Sequence, residues 1–275
     1  MLNYLKNSFR RKIARRFTRE YPTIPYSIQT EKYGTIEFSN WDNPLVSRVE
    51  LDTNMIDFFG QFIKEGDLAI DIGANIGDTT VPMGFCAGKS GLVLGFDPNP
   101  YVYKVLVANA ALNKDKTNII PVPYAISQQE EEFYFISSEA SFSNGGISKT
   151  RESHHGKYVY PSRIKGVRLI DYLEQNYKDR LSRFSFIKID TEGYDKEIIK
   201  SIKDLLLKYK PVIVAESFGA ATEPDKLELY DVISSLGYTL HYFSDFKDNA
   251  EVIKLNSRND ILNYKRTINI YAIPN

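Results

Sequence analysis

Residues 68–79, Leu-Ala-Ile-Asp-Ile-Gly-Ala-Asn-Ile-Gly-Asp-Thr, constrain the fold more than any other stretch of the chain. An apolar strand over 68–72 runs into a turn with glycines at 73 and 77, and a helical pattern follows from about 77 to 87. Glycine turns tightly and lets the backbone approach a ligand closely. The helix after it points its first amides at the same place. A dinucleotide turn needs glycine at the first, third and sixth places, here 73, 75 and 78. Only Gly73 matches, because 75 is Asn and 78 is Asp, and Asp78 would repel a pyrophosphate. S-adenosyl-L-methionine carries no phosphate, and its turn takes small residues at the first, third and fifth places. Gly73, Asn75 and Gly77 fit that pattern. Asp97 ends the next strand, 20 residues after Gly77, where an acid accepts hydrogen bonds from both hydroxyls of a ribose.

The pattern around this turn is regular. Strands are expected at 68–72, 91–96, 118–123, 184–190, 211–216, 238–243 and 267–273. Helices are expected at 100–113, 170–177, 194–208 and 224–236 between them. Alternation of this kind predicts an α/β fold, a mostly parallel seven-stranded Rossmann-like sheet with helices on both faces. Ligands in such sheets bind at the carboxyl ends of the strands. Residues 131–136 and 164–169 read as two further strands, and the Ser-, Gly- and His-rich segment 137–163 between them reads as a lid or acceptor wall. Ahead of the domain at 66–275 lie a strand at 33–38 and a helix at 48–63, within an extension at 21–65.

The charge is segregated. The 275 residues sum to zero, but residues 1–19 carry seven cations and no acid, leaving 28 basic against 35 acidic residues elsewhere, a net of −7. Phosphate neutralisation needs clustered Lys and Arg, so the acidic body excludes generic nucleic-acid binding. Within residues 1–20, Leu2, Leu5, Phe9, Ile13 and Phe17 recur at helical spacing among those cations. A basic amphipathic helix either packs its apolar stripe on the body or lies on an anionic membrane surface. No apolar run is long enough to span a bilayer. The single cysteine, Cys86, excludes an intrachain disulfide and fits a reducing, cytoplasmic compartment, with peripheral membrane contact left to residues 1–19.

A second motif ends strand 184–190: Lys188-Ile-Asp190-Thr-Glu192-Gly-Tyr194. Residues two apart on a strand point to one face, so Lys188, Asp190 and Glu192 converge either as a salt-bridge network or as a working site. With this block the chain resembles the FkbM family of S-adenosylmethionine-dependent methyltransferases. The resemblance rests on Asp71-Ile-Gly-Ala-Asn-Ile-Gly77, Phe96-Asp-Pro-Asn-Pro100, Ala108-Asn-Ala-Ala-Leu-Asn113, Tyr124-Ala-Ile-Ser127, Phe186-Ile-Lys-Ile-Asp-Thr-Glu-Gly-Tyr194 and Ile213-Val-Ala-Glu216. It covers residues 50–245, with one departure: the family usually has Glu where this chain has Asp97. It implies a class I methyltransferase fold, S-adenosyl-L-methionine as cofactor, and methylation of a hydroxyl on a small molecule or glycan, a sugar in polysaccharide or glycolipid biosynthesis foremost. The candidate cofactor contacts are Asp71, Gly73, Asn75, Gly77, Asp78, Thr79, Asp97, Asn99, Ala125 and Asp190.

Methyl transfer from a sulfonium needs alignment of the nucleophile, and an alcohol needs a base within hydrogen-bond reach. Candidates are Lys188, Asp190 and Glu192, followed by His154 and His155. Lys188 serves as a base only if its pKa is lowered, and Asp190 could instead orient the cofactor. Asp190 and Glu216 end neighbouring strands, but two carboxylates fall short of a metal site, so no metal is expected. The alternatives are a non-catalytic adaptor of the same fold and a nicotinamide-dependent oxidoreductase.

Overall fold

The computed structural model describes residues 2–191 and 193–275, with side chains from residue 6 onward. Glu192 lies outside the described residues. Helix α1 (Leu2–Arg16) precedes a hairpin of β1 (Thr23–Thr30) and β2 (Gly34–Trp41), paired from Thr23↔Trp41 to Thr30↔Gly34. There follow α2 (Asn54–Gly60), β3 (Leu68–Ile72), α3 (Thr80–Ala87), β4 (Leu92–Phe96), α4 (Pro100–Leu112) and β5 (Ile119–Val122). Next come β6 (Ala125–Ile126), β7 (Glu131–Ser137), β8 (Gly146–Ser148), β9 (Tyr158–Val159), β10 (Ile164–Val167) and α5 (Leu169–Asn176). The chain closes with β11 (Phe184–Ile189), α6 (Asp195–Ser201), α7 (Lys203–Tyr209), β12 (Val212–Ser217), α8 (Glu223–Ser235), β13 (Tyr238–Phe243), β14 (Val252–Lys254) and β15 (Ile268–Pro274).

The main sheet has the order β14-β13-β15-β12-β11-β3-β4-β5. The run β12-β11-β3-β4-β5 is parallel, and β15 enters antiparallel to both β12 and β13. Alternation along the strands divides the core. Leu68, Ile70, Ile72, Leu94, Ile187 and Ile189 pack on one face with Leu173, Ile198 and Ile233. Ala69, Val93 and Phe186 pack on the other with Phe38, Phe59, Met83 and Val105. The chain leaves β3 towards β4 and β5, and the later strands β11 and β12 add on the opposite side. That reversal opens a crevice where β3, β4 and β11 end.

The doubly wound sheet is the expected one, with differences that have physical causes. It holds eight strands rather than seven: β14 is three residues long and exposed throughout, so it carries no buried alternation to read. The strands expected at 131–136 and 164–169 form a second sheet, β6-β10-β7-β8 with β9 on β7, and two short strands of it, β8 and β9, fall in the segment read as a loop. The helix expected at 194–208 is broken at Ile202, where Ser201 Oγ bonds the Ile198 carbonyl at 2.7 Å and competes with the backbone ladder. The helix expected at 48–63 covers only 54–60, and β1 precedes the strand expected at 33–38.

Candidate active site

The turn after β3 is built by steric exclusion. Gly73 has φ +79°, and a Cβ added there would sit 1.9 Å from the Asp190 carbonyl oxygen. No other residue fits between β3 and the end of β11. The Gly73 and Ala74 amides both donate to the Phe96 carbonyl at 3.0 Å, which ties the turn to the end of β4. Asn75 adopts φ +48°, a left-handed conformation that Asn tolerates better than most residues. Gly77 closes the turn at φ +97°, its amide donating to the Ala74 carbonyl at 2.8 Å.

Asn109 of α4, inside a quoted motif but not recognised as a site residue from sequence, holds this turn from behind. Its Nδ2 donates to the Ile76 carbonyl at 2.7 Å and to the Ser39 carbonyl at 3.0 Å, and its Oδ1 accepts from the Ser39 amide at 2.6 Å. Asn113 exchanges the same pair of bonds with Glu37, at 3.0 and 2.8 Å. The two asparagines thus serve the free edge of β2 as a partner strand would.

Asp71 and Lys188 lie side by side in register on β3 and β11, facing the α3 side of the sheet. Both are buried. Asp71 Oδ2 accepts from the hydroxyls of Thr79 at 2.8 Å and Thr80 at 2.7 Å, while Lys188 Nζ lies 3.4 Å from its Oδ1. Thr79 therefore serves the acid rather than capping α3. Lys188 Nζ also reaches Asp190 Oδ2 at 3.1 Å. Burial works to lower the Lys188 pKa, but Asp71, Asp190 and Asp78 outweigh it and raise the pKa above the ordinary lysine value. Lys188 is held as an ammonium. Burial also raises the Asp78 pKa, opposed by Lys188 and reinforced by Asp71 and Asp190. Within this group Asp190 reaches solvent, its side chain 39% exposed beside a fully buried Asp71.

Asp97 lies across the crevice at the end of β4. Its Oδ2 accepts from the Asn75 amide at 2.9 Å and its Oδ1 from the Asn99 amide at 2.8 Å. Burial pushes its pKa up to about 7, although both amide bonds favour the ionised form. Asn99 uses its side chain locally: Oδ1 caps α4 through the Tyr101 amide at 3.1 Å, and Nδ2 donates to the Phe142 carbonyl at 2.9 Å. Ala125 is buried in β6, paired with Gly166 of β10.

The segment 137–163 holds two short strands, β8 and β9, in otherwise irregular chain. The His154 and His155 rings lie tilted against each other with centroids 4.0 Å apart, and a Cβ added at Gly146 would lie 2.5 Å from the His155 ring. Burial lowers the His155 pKa, with His154 adding to the effect. These packing contacts hold the pair in the segment between β8 and β9. Sequence reading missed Asp195. Its carboxylate accepts from Thr191 Oγ1 at 2.9 Å and from the Glu216 amide at 3.1 Å, joining the loop after β11 to β12. Its pKa rises to about 6, through burial first. Gly193, Asp195, Glu216, Phe218 and Lys226 line a shallow cleft at that edge of the crevice.

The family model described as "Methyltransferase FkbM domain" matches residues 71–240. Among curated proteins, the hexuronic acid methyltransferase AglP of Haloferax volcanii is 26% identical over 199 residues, covering 72% of this chain and 70% of its own. Among solved structures, the methyltransferase FkbM of Methylobacillus flagellatus aligns with a TM-score of 0.46 at 12% identity, over 79% of this chain and 50% of that one. The pre-rRNA processing protein fibrillarin of Methanococcus jannaschii aligns with a TM-score of 0.45 at 14% identity, over 90% and 81%.

Proposed function

The chain belongs to the FkbM methyltransferase family, and from that premise we propose that it is an S-adenosyl-L-methionine-dependent O-methyltransferase acting on a sugar hydroxyl. The observation that carries the cofactor assignment is Asp97. A buried carboxyl with a pKa near 7, held by two backbone amides at the mouth of a left-handed glycine turn, is short of donors. Ribose hydroxyls supply such donors. Asn75 and Gly77 would shape the rest of the cradle. The relative named for hexuronic acid supports a carbohydrate acceptor.

The cofactor, when bound, supplies an activated methyl group. This chain's residues then have to align the acceptor oxygen and accept its proton. We assign the proton to Asp190, because its carboxylate reaches the solvent-facing crevice from the end of β11. Lys188 does not act as a base in this reading. As a fixed ammonium it holds Asp190 at 3.1 Å and balances Asp71, so it is a positioning residue. Asn99 holds Asp97 through its amide, and Thr79 fixes Asp71.

The test is transfer of labelled methyl from S-adenosylmethionine to hexuronic acid glycosides and their neutral sugar counterparts. Transfer to a sugar hydroxyl, reduced at least a hundredfold in Asp190→Asn with cofactor binding intact, is expected. Transfer to nitrogen or carbon, or an Asp190→Asn enzyme of unchanged rate, would overturn the assignment.

A further inference from the structure

Helix α1 meets the body with the face that the sequence pattern did not predict. Ala14 is buried against the body, Arg10 pairs with Asp42 at 2.9 Å, and Arg11 Nε bonds the Pro44 carbonyl at 3.2 Å. Its last turn is held where the Ala140 amide donates to the Arg15 carbonyl at 3.3 Å and Arg15 faces Glu139 at 3.7 Å. Of the apolar stripe, Ile13 is half-buried beside Ala14, while the two phenylalanines turn to solvent. Phe9 is 65% exposed, and Phe17, just past the helix end, is 64% exposed. Phe9, Lys12 and Arg16 follow at helical spacing and share one face. Lys6, Lys12, Arg16 and Arg19 are all exposed, and no ion pair among the described residues involves any of them or Arg11.

We propose that this face of α1 is a docking surface for an anionic lipid bilayer. Charge complementarity names the occupant: a row of uncompensated cations, borne on a body of net −7, interleaved with two solvated phenylalanine rings. Cations alone would suit any polyanion. Exposed phenyl rings set among the charges gain only where an apolar layer lies beneath the charged one, which is the structure of a lipid interface. The helix is too short and too charged to span the bilayer, and no described helix is long and apolar enough to do so. It lies flat, with Ala14 and the Arg10 pair holding it to the body. Segment 139–142, against which α1 ends, is bonded by Asn99 beside Asp97, so the anchor and the cofactor turn are joined by one loop.

The experiment is co-sedimentation of the full chain with vesicles of phosphatidylcholine, with and without phosphatidylserine, over a range of salt. Binding to the anionic vesicles that falls with salt is expected, with little binding to neutral ones. Lys12→Ala/Arg16→Ala is expected to lower partition more than tenfold, since each cation near an anionic surface contributes about fivefold. Phe9→Ser/Phe17→Ser, which leaves every charge in place, is expected to lower it as well. Unchanged thermal unfolding would confirm that both variants fold. No binding by the wild type, or binding indifferent to the phenylalanines, would overturn the proposal. Tighter binding to single-stranded RNA than to anionic vesicles would also overturn it and assign the helix to nucleic acid. None of these outcomes depends on methyl transfer, so they leave the catalytic reading untouched.

Discussion

Asp97 combines full burial with two backbone donors, and the balance leaves it half protonated near neutrality. Its pKa is raised on folding, so its contribution to stability is greatest in acid and is lost as pH rises through about 7. The stability of the ligand-free protein is therefore expected to fall as pH rises from 3.8 to about 7, and Asp97→Asn, whose NH2 must face one of the two backbone donors, is expected to flatten that slope while losing stability in acid, read from urea unfolding across pH. Ribose hydroxyls donate to the ionised carboxylate. Cofactor affinity is expected to rise with pH through that same range, with a proton released below it. Calorimetry in buffers of different ionisation enthalpy reads the proton, and Asp97→Asn is expected to abolish its release. Lys188 poses the opposite problem. Lys188→Met would leave Asp71 buried with two hydroxyls and no cation, a loss of about 3–5 kcal/mol in unfolding free energy. Gly73→Ala is expected to fail more severely, because the added Cβ meets the Asp190 backbone at 1.9 Å. The turn glycines and Asp97 were legible in the sequence because spacing after a strand fixes where they fall. The separation of roles between Lys188 and Asp190 was not, since it depends on which carboxylates surround an ammonium. Asp195 carried no local signal, because its partners Thr191 and Glu216 meet it only in the folded sheet.

Among the elements, α4 does more than cover the sheet. Asn99 caps it and grips Phe142, while Asn109 and Asn113 hold the edge of β2 and the back of the glycine turn. Asn109→Ala would strand the Ser39 amide and the Ile76 carbonyl, each a buried polar group worth about 1–3 kcal/mol when unpaired. Hydrogen exchange is expected to quicken at Ser39 and Gly77 before the main sheet opens. Protection unchanged there would separate the hairpin from the turn. Strands 68–72 and 184–189 were legible because both faces are buried and nearly every residue is apolar. The second sheet was legible only at β7 and β10. Its other strands have two or three residues, too few for a period. The break at Ile202 was hidden because Ile198, Leu205 and Leu206 keep a helical apolar stripe across it.

At the scale of the molecule, one sheet does two things at once. Alternation buries Ile70 and Ile187 on one face, while the same strands place Asp71 and Lys188 on the other and end at a shared crevice. A sheet covered by helices on both faces follows from a repeating strand–helix pattern, which is why the architecture was readable from the chain, while the order of the strands was not. The seating of α1 was not, because a helical stripe of Phe9, Ile13 and Phe17 does not say whether protein or another surface covers it. The crevice between Gly73 and Asp97 is expected to bind S-adenosylmethionine. The measurement that meets it most directly is calorimetric titration of the wild type and Asp97→Ala with S-adenosylhomocysteine. Micromolar binding by the wild type, weakened at least tenfold in the variant, is the predicted result. A folded wild type that binds nothing, or a variant that binds as well as the wild type, would contradict it.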